Sequence, residues 1–346
     1  MLTTTTIGAY PKPESVAVET WFDARARRPG EGYEAALAKR GADAAKLLDQ
    51  AVRDVVREQV EIGVDIPTDG EVRRDHYVHY HCRHLTGIDF ERQTEMTVRA
   101  GAWKATLPTI TGPIAPREHF LARDWKVAQS ATERPVKITV PGPLTIADTL
   151  ADDHYGDAVV LGAALAEALN FEVLALAEAG CCHIQIDEPV FARYPREALG
   201  FGVDHLERCF HGLPAAVTRT VHICCGYPVH LDQEDYVKAA PEIYFDLAAA
   251  LDGAAIDAIS IEDAHRPNDL ALLERFPKTT VILGVVAIAV SRIEAVEAIA
   301  GRLRQALEHI EPARLWAAPD CGLAMLPREL ARQKLANLCA AAQAVG

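Results

Sequence analysis

DAVVLGAALAEALNFEVLALAEAGCCHIQIDEP, residues 157–189, decides how the rest of the chain is read. Asp157 to Gly180 is rich in Ala and Leu and contains no proline, so it reads as one long helix. It leads into Cys182-His183-Ile184-Gln185-Ile186-Asp187-Glu188-Pro189, an apolar-patterned strand that stops in acids. The same unit recurs on both sides. Upstream, Leu48, Val52, Val55, Val56 and Val60 make a helical stripe within Lys46–Ile62, and Gly63 supplies the stop. Val64–Glu71 follows as a short strand with polar residues at its end, and Val136–Val140 is a strand closed by Pro141-Gly142-Pro143. Downstream strands are expected at Ala215–Cys225, Ala258–Glu262, Val281–Val286 and Leu315–Ala318, separated by helices such as Ser291–Ile310. Repeated strand–helix alternation predicts an α/β protein with a parallel sheet. This many units in one chain favours a closed (β/α)8 TIM barrel, a single domain over 1–346, rather than an open sheet. Residues from about 90 to 134 are polar and less regular, and read as an insertion or hairpin excursion over the barrel mouth.

The chain has 346 residues, 49% hydrophobic and 24% charged, which excludes disorder over most of its length. Lys plus Arg number 35 against 49 Asp plus Glu, a formal net charge of −14. Such an excess repels phosphate backbones and anionic lipid, so neither nucleic acid nor a membrane is an expected partner. No uninterrupted run of about 18 apolar residues stands out, so no membrane span is expected. Met1–Thr6 lacks a basic and an apolar region, which predicts no secretory signal. Eight cysteines are too sparse for a disulfide scaffold and fit core thiols, metal ligands or nucleophiles of a cytoplasmic enzyme. No G-x-G-x-x-G or P-loop pattern opens a helix, which weakens dinucleotide and nucleotide readings.

Ligand-capable residues stand where apolar strands stop, the end at which the loops of a barrel converge. In Val221-His222-Ile223-Cys224-Cys225-Gly226, the period of two sends His222 and Cys224 to one side and Cys225 to the other. Glu262 ends Ile259-Ser260-Ile261, and Cys321 follows Ala318-Pro319-Asp320. One imidazole, two thiols and one carboxylate make a zinc-type donor set, spaced for a barrel and too widely for a zinc finger. Two thiolates and a carboxylate make zinc a weak Lewis acid toward water but suit it to hold an incoming thiol as thiolate. Taken singly, each has a plainer role: His222 and Cys224 as core residues, Glu262 as a rim ion-pair acid, Cys321 as a core thiol.

Eight motifs in order carry a resemblance over nearly the whole chain: Thr6-Ile7-Gly8-Ala9-Tyr10-Pro11, Asp69-Gly70-Glu71, Pro141-Gly142-Pro143-Leu144-Thr145-Ile146, Ile184–Pro189, His222-Ile223-Cys224, Ile259–Glu262, Gly284-Val285-Val286 and Pro319-Asp320-Cys321-Gly322-Leu323. The chain resembles the catalytic C-terminal barrel of the cobalamin-independent methionine synthase family, in a short form without the N-terminal duplicate. The resemblance implies a (β/α)8 barrel, Zn2+ on His222, Cys224, Glu262 and Cys321, and methyl or alkyl transfer to a zinc-held, homocysteine-like thiol, as in methionine biosynthesis. It further implies that Asp187 holds the amino group of the thiol substrate and that Glu71 lines the site between thiol and donor. The Ile7-Gly8-Ala9 turn and Thr145 are implied to contact substrate.

The sequence departs from the family's long form at three places. Thr149 stands where a tryptophan stacks on the folate, Ala287 and Ala289 where an aspartate and a proton-donating histidine lie, and Ala9 where a serine lies. A methyl on a tertiary amine needs a protonated leaving nitrogen, and general acid catalysis supplies about 10²–10⁴-fold. The departures argue against methyltetrahydrofolate and for a better electrophile, such as a methylcobalamin-like carrier, a sulfonium or an epoxide. The expected partners are thus a small-molecule thiol and a methyl or alkyl donor, free or on a carrier protein, with the oligomeric state open. His76 and His79, in the His- and Tyr-dense run after Glu71, are candidate acids, the plain alternative being a solvated polar helix. Arg74 or Arg266 would bind a sulfonate if the protein were instead an epoxide-opening, coenzyme M-type thiol alkyltransferase. Two other classes compete: a metal-free decarboxylase-type barrel, and a non-catalytic zinc or thiol-binding protein, for which Ala287 and Ala289 are the best support.

Overall fold

The structure, a computed structural model, describes residues 1–16, 41–98, 103–228 and 230–345. Among them the strands are β1 (Thr3–Thr4), β2 (Ile88–Val98), β3 (Trp103–Ile110), β4 (Ile138–Pro141), β5 (Ala151–Asp152), β6 (His183–Asp187), β7 (Thr218–Ile223), β8 (Ala258–Ile261), β9 (Thr280–Val286) and β10 (Leu315–Pro319). Seven of them form one parallel sheet in the order β1-β10-β9-β8-β7-β6-β4. Isolated parallel bridges, Thr5 to Ile66 and Thr68 to Lys137, connect a single segment to the chain beside both edge strands. The sheet is therefore curled. Alternation sorts its side chains: Ile184, Ile186, Val221, Ile223, Ile259 and Ile261 join the main core under the helices. Ile7, Ala258, Ile282 and Ala318 form a small separate cluster on the opposite face, near Trp316 and Cys321. The register sets Asp187 beside His222, and His222 beside Ser260, so polar residues line up at one end of that inner face.

Among the helices are α1 (Ala42–Ile62), α2 (Tyr77–Cys82), α3 (Leu121–Gln129), α4 (Pro143–Ala147), α5 (Ala158–Ala179), α6 (Val203–Cys209), α7 (Ile243–Gly253), α8 (Val296–Ala306) and α9 (Arg328–Val345). α1 ends where Gly63 turns left-handed at φ 119°. Asp157 caps α5 by accepting from the N–H groups of Val159 and Val160, and Gly180 closes it at φ 109°. By length and apolar composition α5 does qualify as a membrane-span candidate, contrary to the expectation from sequence. Half of that stretch is buried inside the protein, and α5 packs on α3 and α6, so its composition serves the core.

Other differences have local causes. Val64–Glu71 makes only the two bridges, since Pro67 has no N–H to give and the Gly70 carbonyl accepts from Tyr10. The helix expected over Ser291–Ile310 starts at Val296, because Glu294 is taken by the Lys334 ammonium and the Ala287 N–H. Within 90–134, β2 and β3 pair as an antiparallel hairpin that β5 joins, while α3 packs against α1 and α5. The run after Glu71 is not a solvated helix: Val78, His79, Tyr80, His81 and Cys82 of α2 are buried.

Glu58 ties α1 to α9. One carboxylate oxygen accepts from the Tyr10 hydroxyl at 2.8 Å, and the other takes Arg328 at 3.0 Å and Arg332 at 2.7 Å. Burial works against the charge, but these donors outweigh it and hold Glu58 below the ordinary glutamate range. A depressed folded-state pKa contributes stability above the unfolded pKa that is lost as pH falls through the folded one. Both arginines are partly exposed, so the loss expected for Glu58→Gln is about 1–2 kcal/mol at neutral pH. Urea unfolding should show that gap closing in acid, where the native carboxyl is protonated.

Candidate functional site

His222 is the next-to-last residue of β7, with Cys224 just beyond that strand and Cys321 just beyond β10. β7 and β10 are not neighbours in the sheet, yet its curl brings the three side chains together. Their ligand atoms lie within 4.8 Å of one another, among buried surroundings. Two donors about 2.3 Å from one ion sit about 3.7 Å apart in tetrahedral geometry, so the spacing is of the right order. The His222 Nδ1 faces the Ser260 hydroxyl at 3.0 Å, while its Nε2 is buried with no hydrogen-bond partner among the described residues. A neighbour that fixes one ring nitrogen and leaves the other free is what a ligating histidine needs. The Cys321 thiol, with help from His222, outweighs burial and holds Cys224 well below the ordinary thiol range; Cys321, the donor to Cys224, is pushed well up. These residues fit zinc.

Glu262, the expected fourth ligand, is not part of this triplet. Its carboxylate pairs with the Lys238 ammonium and accepts the Cys225 N–H at 3.0 Å. Tyr227 helps lower Cys224 by hydrogen bonding, and its hydroxyl donates to the Asp320 carbonyl at 3.3 Å. The Asp320 carboxylate gathers the N–H groups of Asp263, Ala264 and His265 and the His265 ring at 2.6 Å, fixing the loop after Glu262 to the residue before Cys321. Gly284 makes room for it: an added Cβ would come 2.4 Å from Asp320 Oδ1 and 2.7 Å from its Cα. Backbone cannot yield as a side-chain tip does. Gly284→Ala is therefore expected to cost about 1–3 kcal/mol in chemical denaturation, and to loosen Cys321.

Asp187 and Glu71 face the same end. Burial pushes Asp187 up to about 7, with His222 opposing and Glu71 adding to the rise. Gln185 Nε2 donates both to Asp187 Oδ1 at 2.7 Å and to the Ile7 carbonyl at 2.6 Å, joining the acid to the N-terminal turn. Glu71 is held at φ 54°, a strained conformation for a non-glycine residue. Its carboxylate accepts from Thr139 at 2.7 Å and from Arg74 at 3.1 Å. Gly8 serves this carboxylate, since a Cβ there would stand 2.8 Å from Glu71 Oε1. The Gly8 carbonyl accepts from Thr68 and the Ala9 carbonyl from the Leu323 N–H, so the turn is fastened to the loop after Cys321.

The remaining expected site residues are tied to the protein. Arg74 also binds the Thr139 carbonyl at 2.9 Å. Arg266 gives Nη2 to the Ala239 carbonyl at 2.6 Å, and the Thr145 hydroxyl donates to Glu188 at 2.7 Å. Glu188 caps α4 through the Leu144 and Thr145 N–H groups. His76 accepts at the start of α2 and stacks on His79 at 4.0 Å. Burial brings His79 down to about 4, so it is a neutral imidazole at pH 7.

Sequence reading missed Tyr227, Lys238, Gln185 and Lys137. Lys137 is 1% exposed, without a partner for its Nζ among the described residues, and burial pushes it down to about 7 against the pull of Asp187. Its signal was available: a lysine inside the apolar alternation of Val136–Val140 must point inward or be exposed. Lys238 lies on the long connection between β7 and α7, where no periodicity marks it.

At the departures, the Ala289 N–H donates to His265 Nε2 and the Ala287 N–H to Glu294, and Ala287, Ile288 and Ala289 are all buried. His265 is thereby committed at both nitrogens. The Thr149 hydroxyl returns to the Ile146 carbonyl.

Comparison with known proteins places this geometry. The family profile described as "Cobalamin-independent synthase, Catalytic domain" matches residues 2–344. A methionine synthase of Saccharolobus solfataricus is 31% identical over 98% of this chain and 93% of its own length. The structure of a B12-independent methionine synthase from Shewanella sp. W3-18-1, in complex with selenomethionine, is similar with a TM-score of 0.87 and 31% identity, covering 100% of this chain and 98% of that one. A putative vitamin-B12 independent methionine synthase from Listeria monocytogenes shares the fold, with a TM-score of 0.72 at 20% identity and coverage of 100% and 99%.

Proposed function

The chain belongs to the cobalamin-independent methionine synthase family, a family of methyltransferases, and from that membership we propose that it moves a methyl or alkyl group onto the sulfur of a homocysteine-like thiol. The observation that carries this reading is the convergence of His222, Cys224 and Cys321, with the free Nε2 of His222 among them. These residues, with Glu262 as an exchangeable fourth ligand, would hold Zn2+. When bound, zinc keeps the sulfur of an incoming thiol deprotonated and nucleophilic at neutral pH. Residues 64–69 serve as the eighth strand of a (β/α)8 barrel that is a single domain over 1–346, with the β2–β3 hairpin near its open end. The chain's composition suits a cytoplasmic enzyme.

Asp187 receives the ammonium of the amino-acid thiol, and Gln185 sets its angle while tying it to the Ile7 carbonyl. Glu71, braced by Arg74 and Thr139, borders the path between sulfur and donor. The sulfur lone pair forms the new S–C bond, and the donor keeps the electron pair of the bond that breaks. Ala287 and Ala289 supply no proton to that leaving group, and Thr149 no stacking ring. The donor is therefore one that leaves more readily than the tertiary amine of methyltetrahydrofolate, free or on a carrier protein. The Shewanella relative was solved with selenomethionine, the selenium counterpart of a methylated homocysteine, which supports that acceptor. A sulfonate acceptor has less support, since Arg74 and Arg266 already spend donors on carbonyl oxygens.

Zinc-loaded protein incubated with homocysteine and, in turn, methyltetrahydrofolate, a methylcorrinoid, a sulfonium and an epoxide tests the reading through loss of free thiol. Consumption is expected with one of the last three and not with the folate. Turnover with none would leave the thiol-binding alternative standing.

A further inference from the structure

Lys238 is built into the site. Its side chain is 11% exposed and its ammonium pairs with Glu262, which is 1% exposed. The next residue is clamped from two sides: the Ala239 N–H donates to the Cys225 carbonyl at 3.0 Å, and its own carbonyl accepts Arg266 Nη2 at 2.6 Å. Lys238 also lies 5.6 Å over the Tyr236 ring. An exposed lysine wanders; this one is held beside Glu262 by a backbone fastened to Cys225 and Arg266. The other Glu262 oxygen stays on the Cys225 N–H, so each carboxylate oxygen has a partner outside the triplet.

Resting on the zinc reading above, we propose that Lys238 is the positioning residue that takes Glu262 when a thiol enters the metal site, competing with the metal for that carboxylate. The charge arithmetic favours such an exchange. Zinc with two thiolates and one imidazole is neutral, and either a carboxylate or a thiolate as fourth ligand brings it to −1. Both together would make −2 in a buried site, an expensive accumulation. Passing the carboxylate to a fixed ammonium keeps the metal site at −1 as the thiolate arrives, and the thiol proton leaves to water. Lys238 thus favours the thiol and opposes the carboxylate at the same metal.

Two affinities read this out: that of metal-stripped protein for zinc, against a chelator, and that of zinc-loaded protein for homocysteine, by calorimetry. Lys238→Met should bind zinc about ten-fold more tightly and homocysteine about ten-fold more weakly, the scale of one charge-assisted contact. Lys238→Arg, which keeps the charge, should stay near wild type in both. Damage to the fold would weaken both affinities together, and that result, or no change in either, would overturn the proposal. A second measurement does not depend on the single variant. In a Glu262→Gln background, Lys238→Met should leave both affinities where Glu262→Gln alone puts them, and a further shift would contradict the coupling. Failure of the zinc reading itself would show earlier and differently, as wild-type protein that takes up no zinc.

Discussion

Cys224→Ser and Cys321→Ser proteins are each expected to lose zinc at least about 100-fold in affinity, since even an outer partner of a metal ligand is worth 10–100-fold. The hydroxyl of serine stays protonated at neutral pH and cannot replace a thiolate in a three-residue cluster. Thiol binding and transfer should disappear with the metal. Cys225→Ser is the control that makes the result specific. Cys225 is adjacent to Cys224 in sequence but points to the opposite side, into the main core, so its variant should retain zinc. Metal analysis after dialysis, with circular dichroism to confirm folding, reads all three proteins. Retention of a full zinc equivalent by both Cys224→Ser and Cys321→Ser would remove the proposed chemistry.

Asp187→Asn is expected to weaken homocysteine binding by about 2–4 kcal/mol, the cost of truncating one partner of a buried charge pair. The thiol without its amino group, 4-mercaptobutanoate, should bind wild type and variant alike. The pH dependence follows from the carboxyl's own position. Burial pushes Asp187 up to about 7, so below that it is neutral and offers an ammonium little. Wild-type affinity for homocysteine, relative to the des-amino thiol, should therefore fall as pH drops through about 7. The Asn variant should show no such inflection. Calorimetric titrations over pH 5.5–8.5 would check both; equal losses for the two thiols would place Asp187 in the scaffold instead.

The sequence revealed much of this because strands leave a period-two trace. His222 and Cys224 fall on one face and Cys225 on the other, and the structure keeps that division. Strand ends also mark the open face, so Glu262 and Cys321 could be picked out by position, whereas Asp187 was singled out by the family resemblance. What stayed hidden depends on tertiary pairing. Lys238 sits in a loop whose path is set by the Ala239 clamps to Cys225 and Arg266, contacts no local pattern encodes. Ser291–Ala295 looked helical because its apolar spacing continued that of α8, yet Glu294 was claimed by a lysine 40 residues away. His79 shows the reverse limit: its place in the run after Glu71 was readable, but its burial, which keeps it neutral, was not. Gly8 was legible as a turn glycine, whereas its use is to clear space for the Glu71 carboxylate.

X-ray absorption at the zinc edge, on reconstituted protein with and without homocysteine, tests the metal-held thiol most directly. Cys224 and Cys321 should contribute two sulfurs to the first shell, and homocysteine should raise the count to three as an oxygen leaves. A shell that contains no protein sulfur, or a count that stays at two with the thiol bound, would contradict it.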